Sequence, residues 1–118
     1  LSIMSVTTTI TVQPAEKGTA KVSVASFTDE AGTAVTPSAI TWTLTDRRGT
    51  VINSRSAVTV TPASSVSWLL SGADLAVSNA ASTERHLLIE WTYNSTLGSN
   101  LPGKAVAVFE IAALAGVS

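Results

Sequence analysis

The chain has 118 residues, no cysteine, a formal net charge of -1, and 13% charged against 45% hydrophobic residues. That length suits one domain with a single core, and the lack of cysteine excludes a disulfide framework, a thiolate nucleophile and cysteine metal sites. The near-neutral charge gives no electrostatic case for nucleic acid or an anionic membrane, and no apolar run reaches the roughly 18 residues that span a bilayer, so protein is the expected partner.

Leu1-Ser2-Ile3-Met4 is too short for a signal h-region and lacks a basic flank, so it reads as an ordinary chain start. Val6 to Val12 is rich in β-branched residues, sets Val6, Thr8, Ile10 and Val12 on one side and stops at Pro14, which predicts a first strand at a sheet edge. After the Ala15-Glu16-Lys17-Gly18 turn, Thr19 to Phe27 alternates with Ala20, Val22 and Val24 inward and Lys21, Ser23 and Ala25 outward. Phe27 falls out of phase, the mark of a bulge or of a strand end tucked over the core.

Thr28 to Thr33 carries turn chemistry, and Pro37-Ser38 fixes an extended entry into Ala39 to Thr45, where Ile40, Trp42 and Leu44 alternate with threonines. Asp46-Arg47-Arg48-Gly49 is a compact connection, so Thr50 to Asn53 is expected to fold back as a hairpin. Ala57 to Val60 is a short further strand ended by Pro62, and Ser65 to Leu70 follows with Val66, Trp68 and Leu70 inward. Ser71 to Ala76 breaks the two-residue period. A short helical turn is expected there, capped by Ser71, with Leu75 closing the end of the fold.

Beyond the polar Ser78 to Glu84 connection, Arg85 to Asn94 is the clearest strand of the chain. Leu87, Ile89, Trp91 and Tyr93 share one face and His86, Glu90 and Thr92 the other, with Leu88 the exception. Asn94 to Gly103, rich in Asn, Ser and Gly, predicts the longest polar loop. Lys104 to Leu114 closes the chain with Ala105, Ala107, Phe109 and Ile111 on one face. Its other face carries Val106, Val108 and Glu110, so the strand is expected to need cover on both sides.

Chemistry-bearing residues are sparse. His86, the single histidine, is expected on the wet face beside Arg85 with no nucleophile opposite, as a plain surface side chain. Asp29 and Glu30 are adjacent and so do not form an acid pair at working distance, and two local carboxylates are few for calcium; a solvated turn is the better reading. No serine sits in a nucleophile elbow, and no glycine loop has a phosphate-cradling pattern. Trp42, Trp68, Trp91 and Tyr93 all fall in inward phase, as core rather than as a sugar-stacking platform. Asn94-Ser95-Thr96 fits a glycosylation sequon, which matters only in a chain secreted by a eukaryote. The expectation is a non-enzyme with no catalytic residue, cofactor, metal or small-molecule substrate.

The spacing of strands and turn signals predicts an all-β fold, an immunoglobulin-like or fibronectin-III-like β-sandwich of seven to eight antiparallel strands forming a single domain over residues 1–118. A small barrel is the competing architecture. The motifs Ile40-Thr41-Trp42-Thr43-Leu44-Thr45-Asp46, Gly49-Thr50-Val51-Ile52-Asn53 and Leu70-Ser71-Gly72-Ala73-Asp74-Leu75, with the run from Arg85 to Phe109, resemble small Ig-like proteins of tailed bacteriophages and prophages. The likeness covers most of the chain beyond Val35, and the hairpin departs from it by a second Arg before Gly49.

The resemblance implies a non-enzymatic virion component, such as a capsid decoration or a head or tail accessory protein, assembled in the bacterial host cytoplasm. It would bind phage capsid or tail proteins in multiple copies, without nucleic acid or membrane insertion. Candidate partner contacts are Arg47 and Arg48 at the hairpin tip, Asn94, Asn100 and Leu101 in the polar loop, and the edges offered by the first strand and by Ala57 to Val60. The alternative is a bacterial cell-surface or adhesin-type Ig-like binding or spacer module.

Overall fold

The computed structural model describes residues 7–10, 14–29, 31–77 and 83–114. Among them run seven strands: β1 (Thr7–Ile10), β2 (Thr19–Ala25), β3 (Ala39–Thr45), β4 (Val58–Val60), β5 (Ser65–Ser71), β6 (Glu84–Ser95) and β7 (Gly98–Glu110). One 3-10 turn, Gly72–Leu75, crosses from β5 toward β6. The strands form two antiparallel sheets, ordered β1-β2-β5 and β4-β3-β6-β7. Val6, Thr11 and Val12 of the expected first strand lie outside the described residues, as do Glu30 and most of the Ser78 to Glu84 connection.

Period-2 alternation decides which face of each strand is dry. Ala20, Val22 and Val24 of β2, Ile40, Trp42 and Leu44 of β3, and Leu87, Ile89, Trp91 and Tyr93 of β6 are all buried, and with Val66, Leu70 and Leu75 they form one cluster between the sheets. Removing that much aliphatic and aromatic surface from water supplies most of the drive to fold, at about 25 cal/mol per Å² of apolar area. Trp68 is half-buried and stacks on Trp42 at 5.4 Å, while Phe27 meets Trp91 edge-on at 5.3 Å. Phe27 reaches the core because Ser26 adopts φ 61, which breaks the alternation one residue past β2 and turns the ring inward. Of its two expected readings, the tucked strand end holds.

The return after β3 is a hairpin of one bridge rather than a strand. Asp46 Oδ1 accepts the N–H groups of Arg48 and Thr50, Gly49 takes φ 87, and Thr45 pairs with Val51. Leu44 then accepts from Ile52 N–H and donates to Arg55 O, so Asn53 and Ser54, both at positive φ, are squeezed out as a bulge.

Two expectations need correction in β6 and β7. The stretch from Asn94 to Gly103 is the tip and first half of a long hairpin: Tyr93 pairs with Leu101, Thr92 with Pro102, and Ser95 with Gly98 across a register shift. Composition points to a loop, but Pro102 and Gly103 sit where the ladder tolerates them. Ile111 N–H donates to Thr83 O, so by alternation the odd-numbered β7 residues bond to β6 and Pro102 turns its missing N–H to the open edge. Gly103 lies opposite Trp91, where a Cβ would come within 2.3 Å of indole Cε2. The second correction concerns cover. Ala105, Ala107, Phe109 and Ile111 face the core, but Val106 and Val108 on the outer face remain 59% and 55% exposed.

Candidate functional site

The five residues expected to contact partners are not brought together. Ala39 pairs with Thr92 and Thr45 with His86, so the Arg47-Arg48 turn lies beside the start of β6, whereas Asn94 lies near the other end of β6 and Asn100 near the start of β7. The six-residue step between those pairs alone amounts to about 20 Å along the strand. Arg47 and Arg48 are exposed, as are Asn94 and Asn100. Leu101 is half-buried and packs against the core. Asn94 Oδ1 accepts Asn100 N–H at 2.9 Å and holds Asn100 at φ 54.

The polar groups that burial does concentrate lie at the Arg47 end. Asp74, third residue of the 3-10 turn and 1% exposed, accepts Asn53 Nδ2 at 2.8 Å and Arg55 Nε at 2.9 Å on Oδ1, and Ser71 N–H at 3.2 Å on Oδ2. The bulge after β3 is what carries Asn53 and Arg55 to it. Burial pushes the Asp74 carboxyl up, but the bonds from Arg55, Asn53 and Ser71 and the charge of Arg55 outweigh it, and the group stays below its ordinary value. Arg55 also stands over the Trp42 ring, with its guanidinium carbon 6.0 Å from the centroid.

Arg85, also 1% exposed, donates to the carbonyl oxygens of Asp74, Ala76 and Glu84, tying the 3-10 turn to the first residue of β6. Burial lowers its pKa, the charge of Asp46 opposes that, and the guanidinium remains a cation. The sequence reading names Arg85 only as the neighbour of His86 and gives it no face, yet the signal is present. Arg85 shares the odd-numbered phase of Leu87, Ile89, Trp91 and Tyr93. Asp74 had a weaker signal, its place at the end of the first turn after Ser71. Three carbonyls bonded by one guanidinium and one carboxylate accepting three donors make this cluster a brace within the fold.

Elsewhere the chemistry is thin. His86 Nε2 meets Glu84 Oε2 at 2.7 Å on the outer face, with both side chains about one-third exposed. Asp29 Oδ1 accepts the N–H groups of Ala31 and Thr33, the bonding of a side chain that shapes its own turn. Among the described residues no three His, Cys, Asp or Glu side chains gather at metal-binding distance, and no helix is long and apolar enough to cross a membrane. An open depression of about 180 Å³ lies on the outer face between Thr41, Glu90, Thr92, Pro102 and Lys104. It is below the several hundred Å³ usual for small-molecule sites, and the Lys104–Glu90 ion pair spans it.

The exposed apolar side chains include several on the two edge strands and one at the hairpin tip. Val106 and Val108 on β7, Leu69 on β5 and Leu97 at the β6–β7 tip are each more than half exposed. No protein family, no curated protein and no solved structure matches the chain.

Proposed function

We propose that the chain is an immunoglobulin-like, fibronectin-III-like β-sandwich that serves as a non-enzymatic structural subunit of a tailed-phage particle, a capsid decoration or a head or tail accessory protein. Its strand order supports the fold assignment. Lettered in chain order, it differs from the constant-type immunoglobulin arrangement only in the fourth strand, which lies beside the third instead of the fifth.

The observation that carries the function is the division of labour between buried charge and exposed apolar side chains. Asp74 and Arg85 spend their hydrogen bonds inside the fold, while Leu69, Val106 and Val108 stand out on edge strands. Such a surface binds protein, and weak contacts of this kind become effective when repeated over a large symmetric assembly. The phage assignment rests on the motif resemblance around Trp42, the Leu70 to Leu75 turn and the Arg85 strand.

The test is mass spectrometry of purified particles together with imaging of a tagged copy. The expected result is the chain present in multiple copies per particle. Its absence from particles removes the virion assignment, and recovery at the bacterial envelope would support the cell-surface module instead.

A further inference from the structure

Among the described residues the smaller sheet is one strand narrower than the sheet it covers. Past β1 and β7 the chain bridges Ala15 to Ala112, Phe27 at the end of β2 meets Trp91 of β6, and Trp68 of β5 stacks on Trp42 of β3. That leaves β4 with no described strand facing it. Val58 and Val60 lie opposite Trp42 and Ile40 and so turn inward with them, yet both stay only partly buried. The uncovered position lies beside β5 and above β4.

The backbone of β5 is free on that side. Gly72 N–H donates to Gly18 O, one step past the Thr19–Ser71 pair, so by alternation Val66, Trp68 and Leu70 bond to β2. Ser65, Ser67 and Leu69 therefore turn their N–H and C=O groups the other way. Ser71 has the same parity, and its outward N–H is taken by Asp74 Oδ2, which ends the open stretch. Edge strands are usually blunted by brevity, charge or proline. β4 has three residues and is followed by Pro62, and β7 carries Pro102 and Lys104, whereas Ser65 to Leu70 has no charge, no proline and no positive φ.

We propose that the open edge of β5 takes up one extended, uncharged segment of a partner protein, antiparallel to β5, which completes the sandwich over β4. The overhang of β4 selects that occupant. A second copy pairing β5 to β5 would bring its own β4 beneath the joined strands, into the space the first β4 fills. A lone tail or loop brings no second sheet with it. Its residues opposite Ser65, Ser67 and Leu69 bond to the edge, and the residues between them point at Val58, Val60 and Trp68. Alternating valine and threonine meets both demands, apolar toward β4 and hydroxyl-bearing beside the β5 serines.

The inference does not rest on the phage assignment, since its test uses purified protein and a synthetic probe. The probe is a capped peptide of about seven alternating threonine and valine residues, with a polyethylene glycol tail for solubility. Titrated to about 5 mM it should bind saturably. Hydrogen exchange should slow at the Ser65, Ser67 and Leu69 amides and not at Lys104, Val106 and Val108 on the β7 edge. Methylating the threonine nitrogens, which donate to β5, should abolish binding. Methylating the valine nitrogens, which face away, should change affinity by no more than about twofold.

Ser67→Pro removes an outward donor from β5 and none from its ladder with β2. It should fold and bind the peptide about tenfold more weakly. Should that variant fail to fold, the two methylated peptides decide alone. No saturation, protection at β7 instead of β5, equal effects of the two methylation patterns, or wild-type self-association that protects Ser65 to Leu69 without peptide would each overturn the proposal.

Discussion

The two ends of the β6–β7 pair are secured by different physics. At the Glu84 end, Arg85 and Asp74 are buried and bonded to partners from the bulge after β3, the 3-10 turn and β6 itself, so several distant segments close together or not at all. At the other end, β6 runs on past Thr92, the last residue it pairs with β3. The tip there is held by local bonds such as Asn94 Oδ1 to Asn100 N–H, and Leu97 is 72% exposed. An end braced by long-range contacts opens only with the whole fold, whereas one braced by neighbours can open alone. The molecule therefore has a rigid end and a separable one on the same two strands.

Breaking the rigid end should cost most. Arg85→Ala strands the carbonyls of Asp74, Ala76 and Glu84 and leaves a cavity, for an expected loss of about 3–5 kcal/mol in urea unfolding. A loss below about 1 kcal/mol would mean that water replaces the guanidinium and that this end is not closed. Gly103→Ala probes where the hairpin leaves the core. Its Cβ would clash with the Trp91 indole at 2.3 Å, and displacing that ring from Phe27 should cost about 3 kcal/mol. Unchanged stability and near-UV circular dichroism would show that Trp91 has room to move.

Asp74→Asn weakens the same end without emptying it, at about 2 kcal/mol, because the bonds kept by the amide oxygen lose their charge assistance and its NH2 cannot accept the other. The carboxyl is held low in the folded chain, so its contribution is fully present above the unfolded value near pH 4 and disappears as pH falls through the folded value. The variant should therefore lose stability at neutral pH and show a flatter acid limb. A residual slope is expected from Asp46, whose carboxyl is lowered chiefly by the Thr50 N–H bond. Parallel acid limbs for the two proteins would show that Asp74 does not carry the acid sensitivity.

The contrast between the ends also decides how much the sequence could disclose. Strands β2, β3 and β6 were legible because burying one face of a sheet writes a two-residue period into Ala20-Val22-Val24, Ile40-Trp42-Leu44 and Leu87-Ile89-Trp91-Tyr93. The same period holds Arg85, but its partners, Asp74 O and Ala76 O, come from a turn that periodicity cannot position, so its burial is not legible in the strand alone. The hairpin from Asn94 to Gly103 was read as a loop because composition does not report pairing parity. Pro102 and Gly103 break strands in general, yet here one turns its missing donor to an open edge and the other makes room for Trp91. The candidate contacts Arg47 and Arg48 were legible as exposed, but that they lie at the opposite end from Asn94 and Asn100 follows only from the β3–β6 register.

The smallest effect is expected at the separable end, and it is the sharpest check on the comparison. Leu97 lies between Ser95 and Gly98 at the turn of the hairpin, and its N–H is bonded to Ser95 Oγ at 3.1 Å, a contact its own side chain does not make. Leu97→Ser keeps that backbone bond, removes an exposed isobutyl group and should change global stability by less than about 0.5 kcal/mol. Hydrogen exchange should still speed up at Asn100, whose amide is protected only by the tip, while amides paired between β3 and β6 exchange as before. If exchange instead rose across β3 and β6 together, the tip would be coupled to the Arg85 end through the strands, and the hairpin would open only when the core does.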